Sequence, residues 1–192
     1  MVVARRTLQE AVGLRSKGEK MKKAECTACG APASVVRGSY PFTECGLRNV
    51  VLQGVEITRC SRCGNDDVVI PHLNDLMRTL AFAVVSQPYR LQGEDVRFLR
   101  KYLNMTQAQL AELLDIHKTN LSKWENNEDK IGEQSDRLIR AVAVALGEGL
   151  NGKMEQVIRS FPQIQKSKKR PGLEMDPKNL SFSFAPAPAR LR

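Results

Sequence analysis

Two pairs of cysteines have a spacing that suits metal chemistry. Cys26 and Cys29 form one C-x-x-C-G motif, Cys60 and Cys63 form a second, and thirty residues separate the pairs. A two-residue spacer lets both sulfurs of a pair face one ion, and the glycine permits the tight turn that brings backbone N–H groups toward the thiolates. Four thiolates make a closed tetrahedral site, which is structural rather than catalytic. We therefore predict one structural Zn²⁺ held by these four cysteines.

Three other uses of the cysteines stay open from sequence. A four-thiolate iron site resembles rubredoxin, shares the spacing and would make the protein an electron carrier. Two redox-active C-x-x-C motifs would need a βαβ context that this segment lacks, and disulfides would need an extracellular location to which no feature points. We expect Cys45 to be a buried or partly buried thiol and His72 to be a surface or packing residue, neither of them a ligand.

The segment between the motifs predicts two strands, over residues 34–37 and 49–57. β-Branched and apolar residues such as Val50, Val55 and Ile57 fit a strand, and Gln53-Gly54 is a turn candidate. A ribbon of this size has too small a core to fold alone, so we expect the ion to contribute folding free energy directly.

Residues 70–161 follow the 3.6-residue period of helices. The pattern predicts a linker helix over 71–86, followed by an all-α five-helix domain that begins near Gly93. A later helix is predicted over 135–146, and Gly147 would end it. Its predicted inward residues are Leu138, Ile139, Val142 and Ala145.

Two short helices in this block have the pattern of a helix-turn-helix. Thr106 and Gln109 are spaced as a capping box at the start of the first helix. Ala111 is small where the helices would cross, Asp115 tolerates the left-handed turn between them, and Leu121 would fill the space between the helices.

The outward residues of this motif are candidates for DNA contact. The amino end of the first helix suits phosphates, through Thr106 and Gln107. The second helix suits base edges in the major groove, chiefly through Lys118, Thr119 and Lys123. The full predicted DNA-binding set is Thr106, Gln107, Lys118, Thr119, Asn120, Ser122, Lys123 and Asn126.

Three residues adjacent to this set are predicted to have structural roles. We expect Trp124 to lie in the core rather than to stack on bases. Glu125 should be a partner of a nearby arginine or backbone group, and His117 should begin the second helix.

The net charge of +9 lies in the two ends of the chain. Residues 1–25 carry a balance of +4, residues 151–192 carry +6, and residues 26–150 carry −1. Basic ends serve either solvation or non-specific attraction to a polyanion such as DNA.

No apolar run approaches the ~18 residues of a membrane span, and the first 25 residues lack a signal-peptide pattern. We therefore expect no membrane partner and a cytoplasmic location near the bacterial nucleoid.

The stretch TQAQLAELLDIHKTNLSKWENN resembles the Cro/CI-type (Xre) helix-turn-helix. Joined to the two upstream cysteine motifs, residues 24–147 look like the YgiT-type zinc-finger/helix-turn-helix family, which includes MqsA-type antitoxins. The resemblance implies a zinc-bound amino domain, a homodimer formed through the DNA-binding domain, and a palindromic operator in double-stranded DNA. For antitoxin members it also implies a cognate ribonuclease toxin as partner, an operator in the protein's own promoter, and base reading at Thr119 and Lys123.

The sequence thus predicts an α+β protein with a small amino-terminal zinc-bound β-ribbon, an all-α five-helix domain and flexible basic tails. The predicted segments are a basic extension (1–25), a zinc ribbon (26–69), a linker helix (70–89), a helix-turn-helix domain (90–161) and a disordered Pro/Ala-rich tail (162–192). The predicted function is a DNA-binding transcriptional regulator, with antitoxin and electron carrier as alternatives. No Ser/His/Asp or Cys/His set is visible and only two histidines occur, so we expect no enzyme activity.

Overall fold

A computed structural model describes residues 23–165 and 171–185 of the chain. Residues 1–22 of the predicted basic extension lie outside the described residues. The basic cluster at 166–170 and the end of the tail, from residue 186 onward, also lie outside them. The strands are β1 (Lys23–Glu25), β2 (Pro32–Pro41), β3 (Val50–Arg59), β4 (Asp66–Val69), β5 (Gly172–Asp176) and β6 (Ser181–Ala185). The helices are α1 (Leu73–Ser86), α2 (Gly93–Tyr102), α3 (Gln107–Leu113), α4 (Lys118–Glu125), α5 (Glu133–Leu146) and α6 (Met154–Ser160). The protein is α+β, as predicted.

The chain divides into two compact units. The first comprises, of the described residues, 23–36 and 58–67, and the second comprises 37–57 together with the described residues from 68 onward. This division differs from the predicted zinc-ribbon segment of 26–69, because the inner parts of β2 and β3 cluster with the helices.

The first unit has almost no hydrocarbon core. Its buried apolar residues are Cys26, Ala31 and Cys60, with Cys29 and Ala33 packed against them. Strand β1 pairs antiparallel with the start of β2, with Lys23 opposite Ser34. Since sulfur atoms form most of this interior, whatever binds them is central to the stability of the unit.

Strand β3 bears a bulge where the sequence suggested a turn. The buried residues are Val50 and Leu52 before Gly54, and Val55 and Ile57 after it, so the alternation of period two shifts by one residue at the glycine. Gly54 has a φ of 67°, the left-handed region that favours glycine. The predicted turn at Gln53-Gly54 is therefore wrong: one extra residue keeps both halves of the strand facing the core.

The carboxyl-terminal segment also differs from the prediction. Strand β5 runs parallel to β3, with Val50 opposite Leu173 and Leu52 opposite Met175, and β6 pairs antiparallel with β5. Leu173 and Met175 are buried. The predicted disorder is wrong for residues 172–185. The alternating apolar side chains of this segment are accommodated by pairing with another strand, and that pairing cannot be inferred from the composition of the segment itself.

Helix α1 is part of the main core. Its buried residues are Leu76, Leu80, Ala81, Ala83, Val84 and Val85. On another face, Phe82 meets Phe182 of β6 edge to face, with ring centroids 6.1 Å apart. No helix in the described part of the chain is both long and apolar enough to span a bilayer.

The core of the helix domain contains a buried ion pair. Arg140 on α5 is fully buried, and its guanidinium donates to Asp136 and to the backbone carbonyls of Val85, Gln87 and Tyr89. The arginine thus fixes α5 to the chain between α1 and α2, and a buried charge needs such multiple partners.

The inward face of α5 is not the predicted one. Asp136, Ile139, Arg140, Ala143 and Val144 are buried. Of the predicted inward residues, Ile139 is confirmed and Val142 is half-buried, whereas Leu138 and Ala145 are exposed. The prediction is wrong for Leu138 and Ala145. Two adjacent stripes of α5 are apolar, and the stripe that is buried is the one that includes the charged pair Asp136 and Arg140.

Candidate metal centre and nucleic-acid interface

The sulfurs of Cys26, Cys29, Cys60 and Cys63 lie together, all within 4.8 Å of one another. The Cys26–Cys63 sulfurs are 3.6 Å apart and the Cys29–Cys60 sulfurs are 3.7 Å apart. With Zn–S bonds of about 2.3 Å, the edges of a tetrahedral four-thiolate site are about 3.8 Å long. The spacing of the sulfurs therefore fits a tetrahedral ion.

Backbone turns hold the two cysteine pairs. The N–H of Gly30 donates to the carbonyl of Cys26 at 2.9 Å, and the N–H of Gly64 donates to that of Cys60 at 3.0 Å. The φ angles of Gly30 and Gly64 are 68° and 73°, a conformation that glycine adopts without strain. The predicted role of the glycines is confirmed.

The four thiols perturb one another. The pKa of Cys60 falls to about 7, chiefly through the backbone N–H of Cys63. The backbone N–H of Asn65 lowers the pKa of Cys63, but its three neighbouring sulfurs and burial outweigh this and raise that pKa to about 12. Four thiolates at this spacing repel one another, so the fully ionised set needs a cation.

The other two sequence candidates lie outside this cluster. Cys45 is partly buried and its thiol donates to the carbonyl of Phe42 at 2.9 Å, while His72 is exposed. The cluster therefore offers four soft ligands and no mixed donor set, which suits zinc or iron.

The predicted helix-turn-helix is formed by α3 and α4. The hydroxyl of Thr106 accepts from the N–H of Gln109 at 3.2 Å, and the side chain of Gln109 accepts from the N–H of Thr106 at 2.8 Å, so the capping box is confirmed. In the turn, Asp115 has a φ of 52°. His117 caps α4, with Nδ1 accepting from the N–H of Thr119 at 3.3 Å.

The predicted DNA-binding residues lie mostly at the surface of α3 and α4. The exposed ones are Thr106, Lys118, Thr119, Asn120, Lys123 and Asn126, while Gln107 and Ser122 are partly buried. Several of them have protein partners that limit their freedom. Gln107 donates to Glu125 at 2.9 Å, Asn126 accepts from Arg97 at 2.7 Å, and the hydroxyl of Thr119 lies 2.7 Å from Nδ1 of His117. Nζ of Lys123 lies 3.7 Å from the carboxylate of Asp129.

Buried Glu125 fixes α4 to its neighbours. Its carboxylate accepts two hydrogen bonds from the guanidinium of Arg100 and one from the amide of Gln107. Burial raises the pKa of Glu125, but these hydrogen bonds and the charges of Arg100 and Arg97 prevail and lower it. The structural role predicted for Glu125 is confirmed, as is core packing of the partly buried Trp124. Nothing in the sequence alone singled out Arg100, because its helix carries several basic residues.

A glycine sets how closely α2 approaches the end of α4. A Cβ at Gly93 would lie 2.3 Å from the carbonyl oxygen of Trp124 and 2.7 Å from that of Glu125. The N–H of Gly93 also donates to the side chain of Asn127 at 2.8 Å. Glycine is therefore required here by the backbone contact and not by its φ angle.

Comparison with protein families agrees with this geometry. Residues 96–151 match a family model described as helix-turn-helix, of the Cro/CI type, which covers less than half of the chain. Fold and match together define a helix-turn-helix DNA-binding domain joined to a four-cysteine cluster. Searches of curated proteins and of solved structures gave no significant match.

Proposed function

We propose that this protein is a sequence-specific DNA-binding transcriptional regulator, acting as a repressor or autoregulator, with one structural Zn²⁺. The observation that carries the proposal is the surface of α4, which presents Lys118, Thr119 and Lys123 to solvent while Glu125 at its end is buried and held by Arg100. A helix that reads DNA must combine an exposed polar face with a fixed orientation.

The zinc is proposed to serve folding. The four thiolates would fill the coordination sphere and leave no position for a substrate, so the ion would organise the first unit without catalysing a reaction. A colourless zinc protein would agree with this proposal, whereas a red iron protein would support the rubredoxin-like alternative.

We propose that the protein binds a palindromic operator as a homodimer. An apolar stripe on α5 supports this: Leu138 is 45% exposed and Leu146 is 55% exposed, with Ala145 between them at the surface. On α6, which packs against α5, Ile158 is 50% exposed. A surface of this kind on a small domain suits association, and a dimer could place two α4 helices about 34 Å apart on successive major grooves.

The antitoxin role remains a prediction from the resemblance to the YgiT-type family. It requires a ribonuclease toxin encoded beside this gene. Co-expression of the two genes and purification through a tag on this chain would reveal a stable complex if the role is correct.

Selection of duplexes from a random library tests the proposed function and requires no assumed operator sequence. The zinc-loaded full chain should enrich one two-fold symmetric sequence, and footprinting should locate that sequence upstream of the gene. Enrichment of no sequence, with uniform weak binding that disappears by ~0.2 M salt, would mean that the protein lacks sequence-specific recognition.

A further inference from the structure

A polar cavity of about 210 Å³ lies in the helix domain, beside the start of α5. The residues that line it are Arg90, Glu133, Asp136, Arg137, Pro162 and Ile164. Its volume is below the roughly 300–1,000 Å³ of pockets that bind drug-sized ligands, so it suits a small chemical group. None of the predicted DNA-binding or metal-binding residues lines it.

The charges of the lining leave one cation without a counterion. The carboxylate of Asp136 is buried and already accepts from Arg140 and from the N–H of Leu91. Glu133 pairs with Arg90 at 2.9 Å. Arg137 is exposed and has no ion pair among the residues that the structure describes. The two arginines and two carboxylates of the lining balance in charge, and Arg137 is the lining cation without an ion pair in the described chain to meet an added anion.

Arg90 adds a hydrogen-bond donor without an acceptor. Its Nη1 donates weakly to the carbonyl of Ile131 at 3.5 Å and its Nη2 contacts Glu133. Its Nε is buried and has no partner among the described residues. Buried N–H groups are almost always paired in folded proteins, so this Nε indicates an acceptor that the described chain does not itself supply.

We propose that this cavity binds a phosphate group, with Arg137 supplying the charge and Nε of Arg90 supplying a buried donor. Guanidinium groups match the oxygens of a phosphate in both charge and geometry. Helix α5 begins at Glu133 without a side-chain cap. Its amino end adds a favourable field, which the two acidic residues of its first turn, Glu133 and Asp136, partly offset. Free inorganic phosphate and a phosphodiester of the DNA backbone share this chemistry.

Titration with inorganic phosphate tests the free anion. The zinc-loaded full chain is titrated by calorimetry at constant ionic strength, with chloride as the competing salt. Arg137→Gln should weaken phosphate binding about tenfold, as expected for loss of one charge-assisted hydrogen bond. Arg159→Gln is the matched control, since it removes an exposed arginine on α6 and should change nothing.

Glu133→Gln should change the affinity in the opposite direction. It removes a negative charge from the lining and releases Arg90, so phosphate should bind more tightly. A damaged fold would weaken binding in both variants, so opposite effects separate the site from instability.

DNA binding tests the second source of phosphate. If the cavity holds a backbone phosphodiester, Arg137→Gln should reduce the slope of log affinity against log salt by about one, and Arg159→Gln should not. The proposal is overturned if inorganic phosphate gives no saturable binding and the salt slope is the same for both variants. The phosphate arm needs no DNA, so its result does not depend on the proposed regulatory function.

Discussion

The carboxylate of Glu125 on α4 accepts hydrogen bonds from Nε and Nη2 of Arg100 on α2, at 2.6 and 3.0 Å. The same carboxylate accepts from Gln107 on α3 at 2.9 Å. One buried charge therefore connects the three helices that surround the proposed reading face, and the orientation of α4 depends on it.

This ion pair predicts a dependence of stability on pH. The pKa of Glu125 is lower in the folded protein than its ordinary value of 4.5, so its ionised form stabilises the fold above that value. That contribution should disappear as the pH falls through the lowered pKa. Glu125→Gln should therefore destabilise the protein by about 2 kcal/mol at pH 7 and by progressively less as the pH falls below 4.5.

Urea unfolding at a series of pH values from 7 downward measures this change. Glu112→Gln, which removes an exposed carboxylate from α3, is the control and should be nearly neutral throughout. An effect of Glu125→Gln that stays constant as the pH falls below 4.5 would show that the charge of Glu125 does not stabilise the fold.

The proposed zinc site predicts that the first unit can lose its structure while the helices of the second unit keep theirs. Cys60→Ser should lower bound zinc from one per chain to nearly zero and remove amide protection from the first unit, while α2–α5 remain protected. Cys45→Ser should retain the zinc, because this thiol contacts the carbonyl of Phe42 instead. Metal analysis with hydrogen exchange checks both, and full zinc binding by Cys60→Ser would contradict the assignment.

The carboxyl-terminal strands predict a cost for truncating a buried side chain. Met175 is buried beside Leu52 of β3, so Met175→Ala should lower the free energy of unfolding by about 2–4 kcal/mol. Leu180→Ala, in the exposed turn before β6, should have a small effect. Equal, negligible effects of both changes in urea unfolding would mean that this segment does not join the sheet.

Local sequence patterns were sufficient to predict the helix-turn-helix and the cysteine site. The capping box at Thr106 and the left-handed turn at Asp115 depend on neighbours within a few residues. The cysteine pairs need two distant segments to meet, but their spacing within each pair restricts the ligand geometry.

Tertiary contacts decided the parts that the sequence did not predict. Residues 172–185 look too short and polar to form a core alone, and they are ordered by pairing with β3, more than a hundred residues away. On α5, the fully buried Arg140 is explained by carbonyl groups at the end of α1 and beyond it, whereas apolar Leu138 is left outside. Hydrophobic periodicity cannot anticipate partners of this kind.

The exposed stripe on α5 predicts how the proposed dimer can be broken. Leu138→Glu should convert a dimer to a monomer in sedimentation equilibrium, because the charge would be placed in an apolar interface. Val69→Glu, at a more exposed apolar residue near the end of β4, should leave the dimer intact. A wild-type chain that remains monomeric at ~100 µM, well above the micromolar range of weak association, would exclude this interface.

Equilibrium binding of the selected duplex most directly tests whether α4 reads DNA. Zinc-loaded wild type is compared with Lys123→Ala and with Lys101→Ala, which removes an exposed lysine from α2. Lys123→Ala should weaken binding by about 1–3 kcal/mol and relax base preference at one operator position, with the thermal midpoint unchanged, while Lys101→Ala should bind as wild type. Unchanged affinity and base preference for Lys123→Ala would contradict the account.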